Sequence, residues 1–300
     1  MEAATIINRG KANGAAVEQV LRSAGIEGPV EAVEGKRIAA RAKQLVEQGA
    51  KRIIVGGGDG SVGAAAQAVA GSSVALGILP LGTLNHFARD LGIPFELDQA
   101  AALIAEGHIR AVDVAEVNGR TFVNNSAIGL YPLMVVDRES QQHRLGRSKR
   151  LAMLVASFRT LARFHDHRLI LTTGEGRSSV DTPLLFVGNN DYELALPAAG
   201  RREALDDGKL CILVMRKKGV PGFLAATFRA LAGWTRRDDM VTMDGLTHLC
   251  VETGRRHLTV SIDGETVEMA PPLDYRIRPG ALRVHAPETK RTQRSGPSKS

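Results

Sequence analysis

Apolar and polar positions follow two different rhythms along this chain, and the change falls near residue 112. Before it, short apolar runs alternate with segments whose apolar residues recur every third or fourth position. Residues 4–7 read as a strand, and 15–24 carry Val17, Val20 and Leu21 at helical spacing. Residues 36–48 predict a second helix, 52–55 a strand, 62–70 a helix, 74–79 a strand and 97–106 a helix. A strand-then-helix order of this kind implies a parallel sheet covered on both faces. Ligands then collect at the C-terminal ends of its strands.

After the change, short extended runs dominate: residues 112–117, 121–124, 169–173, 184–187, 210–215, 248–252, 258–262 and 266–269. Asn118-Gly119 and Asp263-Gly264 separate some of them, as hairpins require. Two helical segments interrupt, at 151–164 and 223–234. The expected fold class is an N-terminal three-layer α/β domain with a parallel sheet, over residues 1–112, and a C-terminal β-rich domain, a β-sandwich, over 113–286. Residues 287–300, rich in Lys, Arg, Ser and Pro, read as a basic, disordered tail.

The junction between the strand at 52–55 and the helix after it reads Gly56-Gly57-Gly58-Asp59-Gly60-Ser61. Glycines there let the backbone approach a phosphate, with amides and a helix N-terminus aimed at its charge. Asp59 would repel phosphates unless a divalent cation lay between, which points to Mg-nucleotide chemistry rather than to bare phosphate capture. An ordinary glycine turn is the plain alternative. A second loop, Leu79-Pro80-Leu81-Gly82-Thr83-Leu84-Asn85-His86, starts where the next strand ends and so lies beside the first. Thr83 and Asn85 could meet a phosphate there or cap a helix.

Composition narrows the field. Three hundred residues with 44% hydrophobic and 24% charged positions suit a globular protein with full cores. Aromatics make up 4%, too few for the stacking platforms that bind single-stranded nucleic acid. Two cysteines, Cys211 and Cys250, exclude a disulfide framework or a zinc cluster. No apolar segment reaches membrane-spanning length and none has the form of a secretion signal, so the chain reads as cytoplasmic. The net charge of +7 gathers at Arg144, Arg147, Lys149 and Arg150, at Arg216, Lys217 and Lys218, and at Arg236 and Arg237. Such clusters suit solvated faces or an acidic partner, and charge alone does not choose.

Taken together, Gly57-Gly58-Asp59-Gly60-Ser61, Pro80-Leu81-Gly82-Thr83-Leu84-Asn85, Phe122-Val123-Asn124, Asp206-Asp207-Gly208-Lys209-Leu210 and Asp263-Gly264-Glu265 resemble the diacylglycerol kinase catalytic-domain family, in particular its bacterial soluble lipid kinases. The resemblance spans nearly the whole chain. It implies ATP bound in a cleft between the two domains and transfer of its γ-phosphoryl group to a lipid hydroxyl, most often that of diacylglycerol. It implies that Asn8, Gly57, Gly58, Asp59, Gly60, Ser61, Val62, Gly63 and Thr83 line the nucleotide. It also implies a structural Mg²⁺ held by Asp207 with the carbonyls of Ala204 and Lys209.

In the family a carboxylate of the Asp263-Gly264-Glu265 type is the general base for the lipid hydroxyl. Glu265 is the first choice here and Asp263 the second. This sequence departs from the pattern at Arg9, Lys11 and Ala12, where the family has proline, serine and glycine, and at Ala32 or Val33, where threonine is common. His86 stands where the family has an aspartate in a network with the positions of Asp59 and Asp113. Histidine does not replace a carboxylate on a hard cation, so the metal geometry differs or His86 stands away from the ion.

The expected setting is a membrane surface reached from the cytoplasm. There the apolar segments at 151–164 and 223–234 and their basic flanks meet anionic phospholipid headgroups. Exposed edge strands could pair two copies as a homodimer. An NAD kinase-like soluble enzyme shares the glycine-aspartate loop but not the second loop. A nucleotide-binding regulator without catalysis is the third reading, kept open by His86.

Overall fold

A computed structural model of the chain describes residues 1–11, 13–129, 166–192, 201–202, 204–216, 221–222, 225, 228–229 and 239–288. The helix expected at 151–164 lies outside these residues, as do Arg144, Arg147, Lys149, Arg150, Lys217, Lys218, Arg236 and Arg237. Of the helix expected at 223–234 only Ala225, Phe228 and Arg229 are described, and of the tail only residues 287 and 288.

Four parallel strands, β1 (Ala3–Asn8), β2 (Val30–Val33), β3 (Arg52–Gly57) and β4 (Ala75–Pro80), lie in the order β2-β1-β3-β4. Helices α1 (Gly14–Ser23), α2 (Ile38–Glu47), α3 (Asp59–Val69), α4 (His86–Asp90) and α5 (Leu97–Glu106) connect them and follow them. The sequence explains the pairing. Every residue of β4 is buried, as a strand covered on both faces requires. α1 buries Val17 and Leu21, four residues apart, and opens on Asn13, whose side chain accepts the Ala15 N–H at 3.1 Å. Because β1 connects outward to β2 while β3 returns to its other side, the strand order reverses between β1 and β3. Ligands of open α/β sheets sit at the C-terminal ends of the strands at such a reversal.

The sheet does not stop at β4. β16 (Leu273–His285) runs parallel to it, pairing Arg283 with Ala75 and Val284 with Leu76, and antiparallel to β5 (Ile109–Val117) and β13 (His248–Glu252). β6 (Arg120–Phe122) pairs with β5, while β8 (His167–Thr173) and β9 (Gly176–Thr182) extend the sheet past β13, giving ten strands in all. A second, antiparallel sheet has the order β12 (Met240–Leu246), β11 (Leu210–Met215), β10 (Leu184–Asn189), β7 (Asn125–Gly129), β14 (Leu258–Ile262), β15 (Glu265–Met269). Leu171, Val251 and Tyr275 of the first sheet pack against Val187, Ile212 and Val260 of the second, forming the expected sandwich core. The fold class is therefore the one read from the sequence.

Two strands belong to both halves. β5 sends Val112 and Val114 into the α/β core and Ala115 and Val117 into the sandwich core. β16 does the same in reverse, with Tyr275 and Ile277 in the sandwich and Leu282 and Val284 in the α/β core. Between them the β5–β16 register shifts at Arg278/Leu282, around Pro279-Gly280 with Gly280 at φ +60°. The buried Asp113 braces that irregularity: its Oδ1 accepts from Gly280 N at 2.8 Å and its Oδ2 from Gly208 N at 2.7 Å.

Candidate active site

The glycine loop closes β3 directly onto α3. The helix begins at Asp59, three residues earlier than its apolar spacing predicts, so Asp59, Gly60 and Ser61 form its first turn. The N–H groups of Ser61 and Val62 turn back to Gly58 O, at 2.9 and 3.0 Å. Those of Asp59 and Gly60 head the helix, where an α-helix supplies no acceptor of its own. Val62 itself is buried. At the end of β1, Asn8 Nδ2 donates to Ser61 Oγ at 2.7 Å and bridges the strand reversal. A Cβ on Gly57 would lie 2.5 Å from Ser61 Oγ, so only glycine fits.

The second loop lies beside the first, as expected. Leu81 N donates to Gly57 O at 2.9 Å, and a Cβ on Gly58 would come within 3.2 Å of Gly82 Cα. Asn85 adopts the left-handed conformation (φ +48°) and spends its side chain inside the loop. Its Oδ1 accepts from Gly82 N at 3.0 Å, and its Nδ2 donates to Gly82 O at 3.0 Å and Pro80 O at 3.3 Å. Thr83 and Leu84 are left exposed at the loop's tip. Asp59 Oδ1 accepts from Phe87 N at 3.2 Å, so this carboxylate also caps α4 and locks the two loops together. His86 Nδ1 stands 3.0 Å from Arg89 Nη2. A guanidinium only donates, so that ring nitrogen carries a lone pair already in use.

From the sandwich, the turn between β14 and β15 descends onto α3. Asp263 (φ +47°) and Gly264 (φ +84°) both lie in the left-handed region, forming the two-residue turn that Asp-Gly favours. Gly60 and Gly63, one helical turn apart, make room for it. A Cβ on Gly60 would lie 3.3 Å from Glu265 Oε1, and one on Gly63 would lie 3.0 Å from Asp263 Oδ2. The two carboxylates have different surroundings. Asp263 accepts the N–H groups of Val123, Asn124 and Asn125 at 2.9, 2.8 and 3.1 Å. Burial pushes it up to about 6, although those amides pull the other way. Glu265 is exposed, with Oε1 over the head of α3.

The Asp206–Leu210 stretch lies at the junction of the halves. Gly208 takes the left-handed conformation the turn needs (φ +70°). Lys209 Nζ stands 2.5 Å from Asp191 Oδ2 and 3.7 Å from Asp207 Oδ2, and the Lys209 carbonyl accepts from Asn190 N at 3.0 Å. Asp207 thus faces an ammonium. Ala204 is half-buried beside it. Among the described residues no group of three or more His, Cys, Asp or Glu side chains gathers as a ready-made metal cage. Asp113 accepts from the Gly208 and Gly280 amides, and His86 stands against Arg89.

Next to Asn8, at the C-terminal ends of β1 and β2, a cavity of about 450 Å³ is lined by Arg9, Val33, Glu34, Arg37 and Arg41. A cavity of similar volume lies at the opposite ends of the strands, near Lys51 and Arg283, away from both loops.

The sequence reading missed Arg202, which is fully buried. Its Nε donates to Asp90 Oδ2 at 2.9 Å, Nη1 to Val123 O at 2.5 Å and Asn189 O at 3.2 Å, and Nη2 to Asn124 Oδ1 at 2.9 Å. In sequence it is one of two arginines after a glycine, a pattern indistinguishable from a solvated pair.

The two loops of this site fall inside a match to a known family. The diacylglycerol kinase catalytic domain matches residues 6–117. A protein of Pseudomonas fluorescens named "Probable lipid kinase YegS-like" is 33% identical over 271 residues, covering 83% of this chain and 83% of the relative. One of the same name from Pseudomonas syringae pv. syringae is 32% identical over 263 residues, covering 83% and 81%. The fold matches a crystal structure of a diacylglycerol kinase from Bacillus anthracis str. Sterne with a TM-score of 0.69 at 21% identity, covering 95% of this chain and 97% of that one. A second structure from that organism gives 0.74 at 24% identity, with the same coverage. With relatives of 32–33% identity over more than four fifths of its length and a catalytic-domain match at residues 6–117, the chain belongs to the diacylglycerol kinase catalytic-domain family of lipid kinases.

Proposed function

We propose that the protein transfers the γ-phosphoryl group of ATP to the hydroxyl of a membrane lipid, with diacylglycerol the expected acceptor and Glu265 the general base. One observation carries this reading: Glu265 Oε1, delivered by the sandwich, stands against Gly60 at the head of the helix that follows the glycine loop. The triphosphate lies along Gly57–Gly60 and the second loop at Gly82–Thr83, where close backbone approach and the helix N-terminus favour negative charge. The nucleoside would occupy the cavity lined by Arg9, Val33 and Arg37. The acceptor hydroxyl gives its proton to Glu265, its oxygen bonds to the γ-phosphorus, and the bond from that phosphorus to the bridging oxygen breaks as ADP leaves.

Asp263 serves this reaction as scaffold rather than base, since three backbone amides already occupy its oxygens. Asp59 is the carboxylate of the loop that would hold a magnesium ion, as such ions take one or two carboxylates, and the ion would supply charge neutralisation for the phosphates. The Asp207 turn, facing the Lys209 ammonium, enters no step.

A lipid acceptor stays in its bilayer, so the enzyme works at a membrane surface, docked on anionic headgroups by its basic segments. Among the described residues no helix is long and apolar enough to cross a membrane. The test is to incubate the protein with labelled ATP, Mg²⁺ and phosphatidylglycerol vesicles carrying diacylglycerol, or with NAD. Label in the organic phase, increasing with anionic lipid, is expected. Label in NAD would favour the soluble nucleotide kinase, and label in neither would favour a regulator without catalysis.

A further inference from the structure

We infer that Arg202 is a positioning residue that holds Glu265 in register with the glycine loop, by latching α4 to the Val123–Asn124 segment. The inference rests on Glu265 being the base. Two of the segments that Arg202 touches hold site residues, and its remaining partners, Asn189 O and the Tyr192 ring, complete its burial. On the nucleotide side it meets Asp90 and lies over the Phe87 ring, 5.7 Å from its centroid. Phe87 N is the amide that binds Asp59, and α4 grows out of the second loop. On the sandwich side it meets Val123 O and Asn124 Oδ1. The N–H groups of Val123 and Asn124 bind the Asp263 carboxylate, Asp263 N donates to Asn125 O at 2.9 Å, and Glu265 follows two residues later. A path from Asp59 to Glu265 thus runs through this guanidinium, beside the direct packing of the Asp263–Glu265 turn on α3. Its ends meet where Glu265 Oε1 lies over Gly60.

The chemistry of the side chain fits this task. A guanidinium presents five donors in a fixed plane, so it can fasten three segments at once, whereas a lysine ammonium is a single point. A buried charge is tolerated only when paired and hydrogen-bonded, and Asp90, 3% exposed, provides the counter-charge. Tyr192 closes the other face, with the guanidinium carbon 5.3 Å from its ring centroid. An apolar side chain would fill this space at lower desolvation cost. What arginine adds is a fixed geometry between two surfaces that must align for phosphoryl transfer.

The test uses the full chain carrying Arg202→Lys, and separately Asp90→Asn. A core truncation remote from the site, Leu171→Ala, is the control for lost stability. Initial rates of transfer from labelled ATP to diacylglycerol in phosphatidylglycerol vesicles are normalised to nucleotide-binding sites. Amide hydrogen exchange is followed at residues 123–125 and 263–266. Arg202→Lys should lower kcat about 10- to 100-fold, the scale of an ångström's misplacement, with the KM for ATP within about 2-fold. Asp90→Asn should lower kcat in the same sense by a smaller factor, and both should speed exchange in the two segments. Leu171→Ala should lower Tm and do neither. If Arg202→Lys does not fold, Asp90→Asn carries the test. Unchanged kcat per site, or exchange no faster than in the control, overturns the latch. If the wild type labels no lipid, the kinase reading fails by itself, and the exchange pattern alone decides whether the latch exists.

Discussion

Replacing Glu265 by glutamine separates the roles of the two carboxylates at the β14–β15 turn. The change keeps shape and removes only the ability to take a proton. Glu265 is exposed, so the fold should lose no more than about 0.5 kcal/mol, within the range of surface substitutions. A positioned general base contributes about 10²- to 10⁴-fold, which corresponds to about 3–5 kcal/mol of barrier. In the proposed reading the phosphates rest on Gly57–Gly60 and Gly82, which the substitution does not touch, so the KM for ATP should stay near its wild-type value. Gly60→Ala tests the same contact from the other side. Its methyl would sit 3.3 Å from Glu265 Oε1, close enough to push the carboxylate aside, and a smaller loss of kcat should follow. The assay is organic-phase labelling from γ-labelled ATP at saturating nucleotide, alongside urea unfolding. A Glu265→Gln enzyme turning over within about 3-fold of wild type would refute the reasoning, since a base cannot be dispensable.

Burial raises Asp263 from 3.8 to about 6, so between those values the folded chain holds a proton that the unfolded chain has released. Its contribution to stability is therefore greatest below the ordinary aspartate value and is lost as pH rises through about 6, by up to about 3 kcal/mol. Urea unfolding of wild type and Asp263→Asn at pH 4.5 and 8 should show the wild type gaining on the variant at the acidic end; parallel behaviour would contradict the assignment. Gly82→Ala places a methyl 2.5 Å from Asn85 Oδ1 and onto the Gly58 backbone, so calorimetry should find ATP binding weakened at least about 10-fold. Tyr275→Phe removes the buried hydroxyl pair with Ser126 Oγ (3.1 Å) between the sandwich sheets and should cost about 1 kcal/mol by thermal unfolding, with turnover unchanged.

Elements with a clean period were legible in the sequence. The α5 bounds agree with its apolar spacing, and so do those of β11, β13 and β14. What escaped lacked that signal. β9 reads Gly-Arg-Ser-Ser-Val-Asp-Thr, a polar edge strand with only one face to cover. β16 is interrupted by Pro279-Gly280, which in sequence reads as a turn and in the fold is the shift between two cores. In the candidate site, the glycine loop, the second loop and the Asp-Gly turn were visible because special backbone geometry demands particular residues. The different surroundings of Asp263 and Glu265 were not, because they depend on which one meets the amides of residues 123–125. Arg202 was invisible for a related reason: burial distinguishes it from its neighbour Arg201, and burial is a property of the folded chain.

The shared strand β16 has a consequence for how the protein is made. The open side of β4 is matched only when residues 283 and 284 reach it, some two hundred residues after β4 itself is synthesised. On the ribosome the α/β half must wait with a bare, apolar strand margin until almost the whole second half has emerged. A fragment cut between the halves would keep both glycine loops yet leave that margin available for aggregation.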